Sequence, residues 1–153
     1  MVTWPDFATE PRAGHWAGLI NVADQPNDQS TDRAFRKVLI IGALYNVGGA
    51  SLFAFPNSIG QLAGLPVPVA PVYSVLLSLF VLLFGAAYAW LALQPTIDRP
   101  MVGFAAIGKA SVFVGAIVLW AMGQASAWLI PGATGDLIFA AIFAWWLRAS
   151  RTR

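Results

Sequence analysis

Lys109 and Asp136 are the residues from which chemistry can be expected, because each carries a full charge inside a long apolar stretch of the chain. At the centre of a membrane helix either charge costs roughly 2.5–3.5 kcal/mol on insertion scales, so an unpaired placement is expensive. A lysine facing an aspartate in such a setting can lock the register of its helices, or it can hold a polar head group or a proton. Their depths allow them to meet. At ~1.5 Å per residue, Lys109 lies ~12 Å past Met101 and Asp136 ~16 Å before Leu147, a difference that a lysine side chain spans. The same arithmetic puts Tyr45 and Asn46 ~10–12 Å past Val38 and Tyr88 ~8 Å before Leu93. We therefore expect Tyr45, Asn46, Tyr88, Lys109 and Asp136 to form one polar cluster that opens towards the cytoplasm, as a ligand site or a structural layer. Small residues let membrane helices approach closely. The expected packing stripes are Gly42, Asn46, Gly49 and Phe53, then Gly108 and Gly115, then Gly132, Asp136 and Ala140 between Phe139 and Phe143.

The elements that must position this cluster follow from composition. Of 153 residues, 58 % are hydrophobic and only 10 % charged; mean hydropathy is +0.68. A soluble domain carries roughly 25 % charged residues to cover its surface. This chain cannot, which excludes a water-soluble enzyme. Nine basic groups stand against seven acidic ones with no basic stripe, so nucleic acid is not an expected partner. The chain has no cysteine, and His15 is its one histidine. Thiolate and His-based metal sites and a bis-histidine haem are thus not expected, and no cofactor is. Five of the six carboxylates outside the last apolar segment lie in the first 32 residues and the sixth is Asp98, so no catalytic carboxylate pair is visible. Phosphate-loop, dinucleotide and serine-elbow patterns are missing, and the Gly60–Gly64 spacing carries no motif.

Four apolar segments, at about 38–56, 72–93, 101–123 and 128–147, are each long enough to cross ~30 Å of hydrocarbon. Backbone groups in lipid must be satisfied internally, so all four are expected to be helices: an all-α, four-helix membrane bundle. Ser30 or Thr31 is the expected cap of the first, and the fourth, with Pro131 and Gly132 near its start, could begin as late as Ala133. Arg33, Arg36 and Lys37 precede the first segment, Arg99 sits between the second and third, and Arg148, Arg151 and Arg153 follow the fourth. Loops 57–71 and 124–135 have no charge. Positive residues stay inside, which predicts cytoplasmic termini. Residues 33–148 then form the membrane domain and 149–153 a basic end. Residues 1–32 form an acidic tail of net charge −4, mostly irregular, whose Trp4, Phe7, Trp16, Leu19 and Ile20 suit a membrane surface. Asn57–Leu65 is expected to form a short interfacial helix. Trp90, Trp120, Trp128, Trp145 and Trp146 lie towards segment ends, as anchors do.

Tyr45-Asn46, Gly85 with Tyr88, Gly108-Lys109, and Gly135-Asp136-Leu137-Ile138-Phe139 followed by Phe143 and Trp146-Leu147 together resemble the pattern of small, uncharacterised bacterial four-helix membrane proteins. More loosely, the chain is similar to DoxX-like and EXPERA-like bundles. The resemblance covers about residues 35–148 and implies a multi-pass inner-membrane protein; the EXPERA likeness implies an apolar, sterol-like or isoprenoid ligand. Three functions fit. The first is a binding or accessory protein that holds a small amphipathic molecule or a partner helix. The second is a small proton-coupled transporter, active as an oligomer. The third is an intramembrane enzyme acting on a lipid-like substrate with Asp136 and Tyr88 as proton donors. The first asks least of so few polar groups.

Overall fold

The computed structural model describes residues 26–65 and 67–150, with side chains from Gln29 onward. The tail to residue 25, with its interfacial aromatics and His15, lies outside the described residues, as do Arg151 and Arg153. The chain divides between Arg33 and Ala34 into two compact units. The described residues of the first are the opening turns of α1; the four-helix body belongs to the second.

The helices are α1 (Pro26–Ala54), α2 (Pro71–Leu93), α3 (Arg99–Ala121) and α4 (Leu129–Ala149). Each is long and apolar enough to span a membrane, and no strand occurs among the described residues. The protein is an all-α, four-helix membrane bundle. Helix starts follow local chemistry more than the apolar run. The described part of α1 begins at Pro26, well ahead of Val38, so Ser30 and Thr31 lie inside the helix instead of capping it. Pro71 opens α2, because the first turn of a helix does not need the N–H that proline lacks. Asp98 caps α3 by accepting a hydrogen bond from the Met101 N–H at 3.2 Å. Gly123, at φ +70°, ends α3 in a left-handed turn, with Gln124 N–H bonded to Leu119 O. Of the expected interfacial helix, Pro56–Gly60 forms a π-helical turn and Gln61–Leu62 a short continuation.

Contacts run round the bundle in chain order. Gly85 of α2 lies against the Ala43 carbonyl of α1, where an added Cβ would approach it to 3.2 Å. Ser78 donates to Ala50 O at 3.1 Å and Asn46 to Val81 O at 3.3 Å, so α1 and α2 are tied by side chain to backbone. Phe84 stacks on Phe104 between α2 and α3. Phe35 stacks on Trp146 at 4.4 Å between α1 and α4. Trp146 is thus a core residue and not the anchor its position near a helix end suggested, whereas Trp90, Trp120, Trp128 and Trp145 are exposed. The glycine expectation needs a similar correction. Gly108, Gly115 and Gly132 face open space, while the close approaches fall at Gly85 and Gly135. Spacing places a glycine on a helix face but does not say which face meets a neighbour. Gly60 and Gly64 also matter: a Cβ on Gly60 would lie 2.5 Å from Leu52 O, and Gly64, at φ +83°, packs on Trp128.

The two ends differ. At the end where α2 and α4 finish, hereafter the basic end, Phe35, Leu39, Tyr88, Leu91, Ile97, Val102, Phe143 and Trp146 form a buried core. Arginines close that end. Arg36 donates to Ala92 O (2.7 Å), Gln94 O (2.5 Å) and Pro95 O (2.8 Å), satisfying carbonyls that α2 leaves unpaired at its C-terminus. Arg99 does the same for α4, donating to Leu147 O at 2.8 Å and to the Ser150 hydroxyl, with its guanidinium over the Trp146 ring. The residues that signal topology in the sequence therefore also cap helices. Arg36→Ala is expected to lower stability by about 1–3 kcal/mol through loss of charge-assisted hydrogen bonds. Arg36→Lys should restore only part, since an ammonium lacks the guanidinium fork. Unfolding midpoints in lipid–detergent micelles read this directly, and an unchanged midpoint for Arg36→Ala would count against the capping role.

Candidate functional site

Each helix brings one part of the polar layer. Tyr45 and Asn46 come from α1, Tyr88 from α2, Lys109 from α3 and Asp136 from α4. The Lys109 ammonium lies 2.5 Å from Asp136 Oδ1 and donates at 2.9 Å to Asn46 Oδ1. Its remaining surface is enclosed by aromatic faces, with ring centres of Tyr45, Phe139 and Tyr88 at 5.0, 5.2 and 5.5 Å. A cation at that distance is attracted by the ring quadrupole. Carboxylate, amide and π-faces together replace the water that the ammonium gave up. Tyr88 joins the layer through its ring, which also packs edge-on against Phe143. Phe139 belongs to the site too; the sequence placed it on the flank of the α4 stripe, but the signal that it faces a cation is three-dimensional.

Asp136 is held less completely. Its side chain is 15 % exposed against 5 % for Lys109. Oδ1 receives the lysine, while Oδ2 accepts a long hydrogen bond of 3.5 Å from the Tyr45 hydroxyl. That hydroxyl also lies 2.6 Å from Gly132 O, so its single proton is shared between two acceptors. The tyrosine reaches this carbonyl because residue 135 is glycine: a Cβ there would lie 2.5 Å from the Tyr45 oxygen. Asp136 Oδ2 is consequently held by one long, shared hydrogen bond.

The layer does not open towards the basic end as expected. Leu39, Leu91, Val102 and Phe143 stand between it and that end, all buried. The apolar core fills the route because large side chains of α1, α2 and α4 converge there with Val102 of α3. On the loop side, the buried positions among the described residues are small or hydroxylated: Ala50, Gly60, Ser74, Ser78, Ala116 and Ala133. An open groove of about 550 Å³ lies at the loop end, lined in part by Gln61, Gly64, Gln124, Ser126 and Trp128. It has no charged lining residue and lies apart from the ion pair. No cluster of His, Cys, Asp or Glu able to hold a metal occurs among the described residues.

Fold and site define a multi-pass membrane bundle built around a buried lysine–aspartate pair. No protein-family model, no curated protein and no solved structure matches the chain. The resemblance to DoxX-like and EXPERA-like proteins accordingly rests on the short motifs alone.

Removing one partner of a buried ion pair leaves an uncompensated charge, which typically costs about 3–5 kcal/mol, whereas replacing both by apolar residues is often neutral. Lys109→Met is therefore expected to destabilise the bundle by about that amount and Lys109→Met/Asp136→Leu to recover most of it. Denaturant titration in lipid–detergent micelles measures both. A double variant no more stable than the single would show that the two groups are not energetically coupled.

Proposed function

We propose that the protein is a membrane binding or accessory protein whose polar layer holds a small amphipathic molecule or a polar group on a partner helix. The observation that carries this reading is the incomplete satisfaction of Asp136 beside a fully enclosed Lys109. A purely structural pair gains by sealing both charges, because a half-satisfied buried network costs more than an apolar core. Here one carboxylate oxygen is left with room for another donor. An ionisable group inside a membrane bundle is by default a functional candidate, and this one has its counter-ion fixed in place. The likeness to EXPERA-like bundles belongs with this reading, since it adds an apolar body to the ligand. The basic loops favour cytoplasmic termini in an inner membrane.

Native mass spectrometry of the protein in lipid discs tests the proposal. Wild type is expected to retain a molecule or partner of defined mass, and Asp136→Asn to lose it while remaining assembled. An empty wild type, with a variant that only unfolds more readily, would reduce the layer to a structural ion pair.

A further inference from the structure

We propose that the groove at the loop end is a second binding site, separate from the ion pair, and that it takes an uncharged sugar ring. The groove holds about 550 Å³, within the ~300–1,000 Å³ range of small-molecule sites. Two loops build it. Gln61, Leu62 and Val67 come from the connection between α1 and α2, and Gln124, Ser126 and Trp128 from the connection between α3 and α4. Gly64 holds the two loops together. A Cβ on it would lie 2.9 Å from Trp128 Cβ and 3.2 Å from the Leu129 nitrogen, and its φ of +83° is one that side chains rarely adopt. Gly123, at φ +70°, turns the chain out of α3 and brings Gln124 into the lining.

The chemistry of the lining decides the ligand. Loops 57–71 and 124–135 carry no charge, so a charged head finds no counter-ion in the groove. The polar groups present are neutral and can both donate and accept. The side-chain amides of Gln61 and Gln124 make no hydrogen bond to other described residues. Each offers two N–H donors and a carbonyl oxygen. The Ser126 hydroxyl accepts from the Trp128 N–H at 3.3 Å, which leaves its proton to donate.

Beside these groups lies the Trp128 indole, 75 % exposed, with Leu62 of the other loop 86 % exposed. A ligand that fits must therefore pair neutral hydroxyls with a flat apolar face. A sugar ring has both. Its edge carries neighbouring hydroxyls for two amides and a serine, and the C–H bonds of its face stack on the electron-rich face of an indole. Anchoring at the membrane interface accounts for an exposed tryptophan alone, as at Trp90 and Trp145. It does not account for two unbonded amides in the same groove. The glycosyl head of a lipid and a free saccharide share this chemistry.

The test is saturation-transfer difference NMR on the protein in zwitterionic lipid discs, with empty discs subtracted. The probes are dodecyl glucoside, methyl glucoside, dodecyl phosphate and dodecyltrimethylammonium. Dodecyl glucoside is expected to show saturation on its ring protons, and more at its first methylene than either charged probe. Gln61→Leu and Gln124→Leu should each weaken glucoside binding about five-fold, the equivalent of one neutral hydrogen bond. Their unfolding midpoints should stay at the wild-type value, since neither amide is bonded within the protein. Trp128→Ala, which keeps the Cβ that Gly64 packs on, should remove the ring-proton signal. A methyl glucoside signal as strong as the dodecyl one identifies a free saccharide, and a weaker one a lipid-borne head. Equal or stronger signals from the charged probes would overturn the proposal. So would ring-proton saturation no greater than in empty discs, or unchanged in all three variants. None of these outcomes bears on the ligand of Asp136, which the Asp136→Asn comparison tests separately.

Discussion

A lysine and an aspartate set midway along apolar helices leave a membrane bundle little freedom. Each charge is costly in hydrocarbon, so the helices that carry them must lie side by side at a matching depth. In this protein the pair joins α3 to α4. The same ammonium, through Asn46, reaches α1, and Asn46 in turn reaches the backbone of α2. One cation therefore ties all four helices together in a single layer. Close approach then becomes necessary where these groups meet, and glycines are found there: Gly85 against α1 and Gly135 beneath Tyr45.

The layer divides the bundle into unlike halves. Towards the basic end, large apolar side chains close the interior and two arginines satisfy the helix termini. Towards the loop end, the buried positions are alanines, glycine and serines, and larger side chains point outward. Van der Waals packing and interhelical hydrogen bonds, not the hydrophobic effect, associate helices in lipid. The basic half thus has the denser share of holding contacts, and the loop half the smaller buried side chains.

Much of this was legible in the sequence. Scarcity of charge and four apolar runs specify an all-α membrane bundle, because lipid permits few other arrangements of the backbone. Depth counted from helix ends was enough to put Lys109, Asp136, Tyr45 and Asn46 at one level. It was not enough to give their bonding. Which oxygen receives the lysine, and that the Tyr45 hydroxyl lies between Gly132 O and Asp136 Oδ2, depend on rotamers that spacing does not encode. Gly108, Gly115 and Gly132 were misread as contacts because periodicity is blind to azimuth. Trp146 was misread as an anchor because closeness to a helix end does not distinguish the inner face from the outer. The opening expected at the basic end was misjudged for a related reason: Leu39, Leu91 and Phe143 each look ordinary alone, and only their convergence seals that end. Arg36 and Arg99 were read for topology, and their capping of α2 and α4 required the fold.

The account rests on Lys109 and Asp136 being in direct contact within a bilayer. The chain has only two lysines, Lys37 and Lys109, so labelling is simple. Solid-state NMR of protein carrying ¹⁵N-lysine and ¹³Cγ-aspartate in lipid bilayers would measure the dipolar coupling between ammonium and carboxylate. A strong coupling, consistent with the 2.5 Å nitrogen–oxygen contact and abolished in Asp136→Asn, is the predicted result. A Lys109 ammonium without coupling to any aspartate would contradict the layer on which both the packing and the proposed site depend.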